Sequence, residues 1–327
     1  MDVSVIQFLH PGGEHGVDDK KKMIKYWNQG PHKRKFLKAQ GQYVIDAAQG
    51  SLSDPMPLLF WGEWEPNSHV VAQFKPLNKL WPRYLHEPYL PPRSKMNSAP
   101  LAPIAPICGS QKRSKGGCIT DWDNDCCQNT DPLVFGDAFI YSLCHQWKKD
   151  SKGRLNTTHL SNLFKGSLIL FGSKVMVHTA TSQEDAFALD TVFVVGESQQ
   201  YSIKNYKTDL AGFIPTDYGY IMGYDHASGA GVDLSISCYK GATPLNPVNG
   251  MYSFSPCQKA DLRGGKPFPK VVITKADGLG KFINVKCTQG FKGSIAVSDS
   301  EAFDVWKKIC EIVKKQGCLQ GVNFQYK

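Results

Sequence analysis

Several stretches of this chain set acids, histidines or thiols at spacings that could do chemistry. The first is His10-Pro11-Gly12-Gly13-Glu14-His15, directly after the apolar run at 3–9. Its two glycines let backbone amides approach a ligand closely, while His10, Glu14 and His15 can donate, accept or ligate. A loop at the carboxyl end of a strand is a common place for a site. A surface turn with incidental histidines would have the same residues. The spacing differs from the helical His-Glu-x-x-His motif, which argues against a hydrolytic zinc.

The second stretch is Phe60-Trp61-Gly62-Glu63-Trp64-Glu65. In a strand that alternates throughout, Glu63, Glu65 and Trp61 share one face. Two carboxylates beside an indole can hold different pKa values and divide acid and base roles. The same combination, with Trp64, suits an extruded base held by stacking and by hydrogen bonds to its edge. A sheet edge whose exposed face carries two glutamates is the plainer alternative.

The third stretch, Asn129-Thr130-Asp131-Pro132, is a turn that displays polar side chains. Asp131 could activate water or stabilise positive charge on a sugar, which makes Asp131, Glu63 and Glu65 the candidate catalytic carboxylates. An Asx-turn bonded to its own backbone explains Asp131 equally well. Cys108, Cys118, Cys126 and Cys127, with Cys144-His145 beyond them, are the remaining ligand candidates. They lack the Cys-x2-4-Cys pairing of structural zinc sites, so reduced thiols are expected and no cofactor is implied.

Cations cluster as well. Lys20, Lys21, Lys22, Lys25, Lys33, Arg34, Lys35 and Lys38 interleave with Tyr26, Trp27, His32 and Phe36, and Lys112-Arg113 forms a second group. Further cations follow from Arg263 and Lys266 to Lys292. Cations position phosphates and aromatics stack on bases, so Lys20, Lys21, Lys22, Lys33, Arg34, Lys35, Lys112 and Arg113 are the candidate backbone contacts. The formal charge of +9 points the same way, towards a polyanion, although many soluble proteins are mildly basic. Walker loops, dinucleotide-binding fingerprints, Gly-x-Ser-x-Gly elbows and Cys-x-x-Cys pairs are missing, which demotes nucleotide hydrolases, dehydrogenases and serine hydrolases.

The elements that must position these residues are mostly strands. Strands are expected near 3–9, 43–46, 57–65, 69–74, 139–143, 167–171, 191–195, 219–222, 250–254, 271–274 and 282–285. Prolines at 76, 82, 88, 91, 92, 100, 103 and 106 rule out long helices in a long excursion from 76 to 130. A helix over 298–316 brings Phe303, Trp306, Ile309, Cys310 and Val313 to one face, which reads as core. The expected class is α+β. A mixed or antiparallel β-rich sheet curls towards a barrel, flanked by a few helices and a long Pro-rich excursion. Two regions, 1–130 and 131–327, are distinguished, with a single continuous domain as the alternative. No signal peptide or membrane span is read from the sequence, so a cytoplasmic protein with reduced thiols is expected.

Lys165-Gly166-Ser167-Leu168-Ile169-Leu170-Phe171-Gly172-Ser173, followed by Phe187-Ala188-Leu189-Asp190-Thr191-Val192-Phe193-Val194-Val195-Gly196, resembles the PUA-like barrels of the EVE and ASCH group. It is also similar to nucleotide-modification-associated domains of bacterial DNA-modification and phage-defence loci. The resemblance implies a base-sized pocket at the mouth of a barrel that reads modified nucleobases, and it assigns no residue to that pocket. Together with the acid–aromatic and basic–aromatic stretches, it leads to an expected DNA-binding protein that recognises an extruded, modified base. The most specific form of that expectation is a DNA glycosylase, with His10, Glu14, His15, Trp61 and Trp64 around the base. A non-catalytic reader of DNA or RNA and a small-molecule hydrolase or transferase are the alternatives.

Overall fold

The structure, a computed structural model, describes residues 2–10, 13–14, 34–66, 68–90, 130–178, 182–222, 234–260, 266–288 and 290–327. In chain order the first strands are β1 (Val3–His10), β2 (Lys35–Asp46), β3 (Ser51–Leu52), β4 (Met56–Gly62), β5 (Ser68–Gln73) and β6 (Tyr84–Pro88). Then come β7 (Ile140–Tyr141), β8 (Trp147–Lys149), β9 (Leu155–Thr157), β10 (Leu168–His178), β11 (Gln183–Ser202) and β12 (Ser235–Gly241). The last are β13 (Ser255–Lys259), β14 (Val271–Ile273), β15 (Gly290–Val297) and β16 (Leu319–Gln325). The α-helices are α1 (Tyr206–Asp209), α2 (Tyr218–Ile221) and α3 (Asp299–Lys315). The class is α+β with strands dominant, as the sequence implies.

One seven-stranded sheet runs β15-β1-β10-β11-β12-β7, with β14 also on β11. The other runs β16-β13-β4-β2-β6-β5, with β3 on β2. Because β16 pairs with β2 as well as with β13, the strands β2, β4, β13 and β16 close a ring. Closure removes two edges that would otherwise expose unpaired backbone. The sheets meet along β11, where Val192 bridges Phe254 and Thr191 Oγ1 lies 3.1 Å from Ser255 Oγ at the start of β13. Both sheets draw strands from either side of residue 130, so no division of the sheets falls there.

All eight residues of β1 are buried, because each face of its sheet is covered. Alternate positions therefore feed two cores. Ile6 and Phe8 join Ile169, Phe171, Leu37 and Phe60 in the first. Val3, Val5 and Leu9 join Leu168, Leu170, Phe36, Leu59 and Trp61 in the second, which α3 covers with Trp306, Ile309 and Val313. Each fully buried side chain of this size contributes about 1.5–3 kcal/mol. The helix itself starts at Ser298, whose hydroxyl accepts from the Glu301 amide, and ends on Lys314 and Lys315, so charges at both ends suit its dipole.

Three of the expected strands are corrected. Residues 219–222 lie in and just after α2, because Gly219 lets that helix sit against Tyr206 of α1; a Cβ there would lie 2.1 Å from the Tyr206 hydroxyl. Residues 282–285 form turns, with Phe282 and Ile283 amides both bonded to the Leu279 carbonyl. Residues 250–254 make only isolated bridges before β13 begins. Short apolar runs suit a buried turn as well as a strand, and periodicity cannot separate the two. The Pro-rich excursion contains β6, and residues 91–129 lie outside the described residues.

The pairing of β10 with β11 slips between Phe171/Thr191 and Gly172/Leu189, which makes Asp190 the extra residue of a bulge. Gly172 sits where a Cβ would meet the Ala188 carbonyl oxygen at 2.1 Å and the Phe187 ring at 2.6 Å. Gly172→Ala should therefore destabilise the protein by about 1–3 kcal/mol, the range for forced overpacking, and displace the bulge. Urea unfolding of the two proteins side by side checks this; equal midpoints would contradict it.

Candidate functional site

Each apolar row of the first core ends, at one end of the sheets, in a polar residue. Ile6 and Phe8 lead to His10, and Ile169 and Phe171 lead to Ser173, which the parallel register of β1 and β10 sets directly beside His10. From the second sheet, Lys35 lies two residues before Leu37 on β2 and so faces the same way. His10 is 3% exposed, Ser173 and Lys35 0%.

Arg34 ties this end together. The antiparallel register Lys35/Gly62, extended by one residue, places Arg34 opposite Glu63. Its Nη1 donates to Glu63 Oε2 at 2.7 Å and its Nε to Asp190 Oδ2 at 2.7 Å, while Nη2 donates to His10 Nδ1. His10 Nδ1 also lies 3.4 Å from Glu63 Oε2. With Nδ1 accepting from Arg34, the neutral ring carries its proton on Nε2. Burial works against the Arg34 charge, but Glu63 and Asp190 outweigh it and hold the guanidinium pKa above its ordinary value. Within the cluster, Ser173 Oγ and Asp190 Oδ1 are buried and have no hydrogen-bond partner among the described residues. Those two atoms face the interior with hydrogen-bonding capacity in hand.

Lys270 borders the cluster, with Nζ 4.8 Å from the centre of the Trp61 ring. Its burial lowers its pKa, opposed by Asp190. Glu65 lies past the end of β4, close enough to Lys35 to favour its charge. Burial dominates at Lys35 and pushes its pKa down to about 7; Nζ donates to the Pro66 carbonyl at 3.1 Å.

The residues expected from sequence separate into three groups. His10 and Glu63 come together as described. Glu63 and Glu65 have different neighbours: Glu63 accepts from Arg34, whereas Glu65 lies near Lys35, and β4 ends at Gly62, before both. The indoles belong to the fold. Trp61 packs on Phe36 and donates to the Phe268 carbonyl at 3.4 Å, and Trp64 packs on Phe135 and Tyr326, so neither presents a free stacking face. Glu14 accepts from the Arg83 and Tyr84 amides at 3.0 Å and pins that segment; burial raises its pKa.

Asp131 also holds the fold, accepting from the Ser142, Leu143 and Cys144 amides at 2.9, 2.7 and 2.6 Å. Burial pushes its pKa up to about 6 against those bonds. The loop it holds delivers His145, at φ 59°, to an edge-on contact with the Phe8 ring at 5.3 Å. Arg34 and Lys35, expected on the surface against phosphates, are 1% and 0% exposed and are corrected to interior residues. Arg34 is held by Glu63, Asp190 and His10, and Lys35 by the Pro66 carbonyl, all inside the fold. His15, Lys20, Lys21, Lys22, Lys33, Lys112, Arg113, Cys108, Cys118, Cys126 and Cys127 lie outside the described residues.

Asp190 and Ser173 are the members to which the sequence reading gave no role; His145 was read only as a companion of the cysteines, and Lys270 only as one of the basic residues. The one available signal was Asp190 itself, a lone acid inside the apolar run 187–195. Among the described residues no group of His, Cys, Asp and Glu is arranged to hold a metal ion, and no helix is long and apolar enough to cross a membrane. A small open pocket elsewhere, lined by Lys165, Glu197, Lys240 and Asn246 among others, contains no histidine. Comparison with protein-family models, with curated proteins and with solved structures finds no match.

Two outcomes follow. Arg34→Met leaves Glu63 and Asp190 buried without their cation and should cost about 3–5 kcal/mol in urea unfolding; a loss under about 1 kcal/mol would mean that the pairs are dispensable. Lys35 has a folded pKa below its unfolded one, so the unfolded chain binds more protons between pH 7 and 10. Stability contributed by Lys35 therefore rises with pH through that window. Relative to Lys35→Met, the wild type should be weaker by a few kcal/mol below pH 7, and the gap should close towards pH 10. Melting curves of both proteins across pH 6–10 decide it, and a gap independent of pH contradicts a depressed lysine.

Proposed function

We propose that the protein acts on DNA as a glycosylase, hydrolysing the N-glycosidic bond of an extruded, modified base at the polar end of the first core. The observation that carries this reading is the buried chain His10–Arg34–Glu63/Asp190, bordered by the free hydrogen-bonding atoms of Asp190 and Ser173. Burying an ion network costs several kcal/mol per ion before pairing offsets it, and apolar residues of the same size would often serve stability as well. A network kept under those terms is a candidate for chemistry.

The basic stretches support nucleic acid as the partner. The segment with Lys20, Lys21, Lys22 and Lys33 leaves the described fold at Glu14 and returns at Arg34, and these two residues bridge each other. The segment with Lys112 and Arg113 returns at Thr130, whose hydroxyl accepts from the Glu65 amide at 3.0 Å. Cations in such stretches would contact phosphates.

The carboxylate role moves from Asp131, which is committed to three amides, to Asp190. Arg34 fixes one Asp190 oxygen, and the other can orient water and face the positive charge that develops on the sugar. His10 can donate a hydrogen bond from Nε2 to the departing base, which takes its proton from solvent. Ser173 can hydrogen-bond the base edge. Because these groups are buried, reaction requires this end of the interior to open to the nucleotide.

Genomic DNAs, some plain and some carrying hypermodified bases, are incubated with the protein and the supernatant is read by mass spectrometry. The expected result is a free base and alkali-labile sites from a modified DNA. Asp190→Asn should reduce release by on the order of a hundredfold or more while DNA still shifts on a gel. Asp131→Asn, where it folds, should keep its rate. Intact DNA that shifts would replace the glycosylase by a non-catalytic reader. DNA neither cleaved nor bound would remove nucleic acid altogether.

A further inference from the structure

The mechanism above leaves Lys35 without a task, although it is the costliest residue at the site to bury unpaired. It faces the same interior end as His10 and Ser173 and is wholly buried. Its Nζ donates to the Pro66 carbonyl at 3.1 Å, a neutral acceptor that an amine satisfies as well as an ammonium. Among the described residues no carboxylate comes within 4.0 Å of it, in contrast to Arg34 on the preceding position. A lysine kept only for its charge would be paired like Arg34. A lysine kept as a free amine needs burial, one neutral anchor and a carboxylate near it but beyond ion-pair distance; Pro66 supplies the anchor and Glu65 the carboxylate.

We infer that Lys35 is an amine nucleophile towards C1′ of the extruded nucleotide, which gives the protein a strand-cleaving lyase activity beside base release. This rests on the glycosylase reading. After water has replaced the base, Nζ adds to the C1′ carbonyl of the ring-opened abasic sugar. The C1′ oxygen then leaves as water, taking one proton from Nζ and one from solvent, and an iminium joins Nζ to C1′. The Glu65 carboxylate removes a C2′ proton, and the C3′–O bond breaks with its electrons on the departing phosphate. Water hydrolyses the iminium, freeing Lys35 and an unsaturated aldehyde; no oxidant or reductant is consumed. The depressed pKa of about 7 is consistent with an amine that is substantially unprotonated at neutral pH.

The test uses a duplex with one abasic aldehyde site, full-length protein and sodium borohydride, which reduces an iminium to a stable amine. The expected result is a covalent one-to-one adduct on a denaturing gel, mapped to Lys35 by mass spectrometry. Lys35→Met and Lys35→Arg, shown to be folded by their melting curves, should lower the yield by on the order of a hundredfold. No adduct with the wild type, or an adduct that survives Lys35→Met, overturns the inference. Base release from modified DNA is read separately. Release without an adduct leaves the glycosylase and removes the lyase, whereas an adduct at Lys35 without release supports the amine and removes base excision.

Discussion

A guanidinium buried between two carboxylates holds the two sheets at a fixed offset. Arg34 precedes β2 in one sheet, Glu63 follows β4 in the same sheet, and Asp190 projects from the bulge of β11 in the other. The planar fork of arginine can satisfy all three neighbours, the third being His10, in one plane of directed hydrogen bonds. An ammonium could not do so with the same geometry. In a low-dielectric interior each of these charges is tolerable only while the others remain. The cluster therefore acts as a single unit, and its members cannot drift independently of the strands that carry them.

The rest of the architecture serves that unit at a distance. The ring of β2, β4, β13 and β16 fixes the register that sets Arg34 opposite Glu63. Gly172 permits the slip that turns Asp190 out of the alternating pattern and towards Arg34. Asp131, bonded to three successive amides, shapes the loop that carries His145 to Phe8. Trp61, near the end of β4, and Trp64, just after it, pack one into each core and so flank Glu63. Residues that read from sequence as chemistry are here the supports of the chemistry.

The buried distribution of charge also separates two kinds of basic residue. Lys35 and Lys270 are interior groups whose burial lowers their pKa, so they carry less charge into the fold than a formal count assigns them. The amphipathic α3, in contrast, keeps Lys307, Lys308, Lys314 and Lys315 in solvent.

Much of the fold was legible because hydrophobic periodicity is local. The strands at 3–9 and 69–74, the helix at 298–316, and the β-rich α+β class with curling sheets follow from the apolar pattern and from turn residues. The strand at 57–65 was legible except for its end, which falls at Gly62; Trp61 and Trp64 still alternate, one into each core, as the pattern implies. Of the site, the sequence by itself singled out His10, Glu63 and the basic run around Arg34, since titratable residues next to apolar strands are conspicuous. Tertiary structure alone decided that Arg34 faces inward, that Asp190 and Ser173 meet His10, and that Asp131 is bonded to amides 11 to 13 residues further along. Those outcomes depend on strand register and on one bulge. The β1–β10 register is a choice made between segments more than a hundred residues apart, and even the closer β2–β4 and β10–β11 registers are not encoded by local spacing.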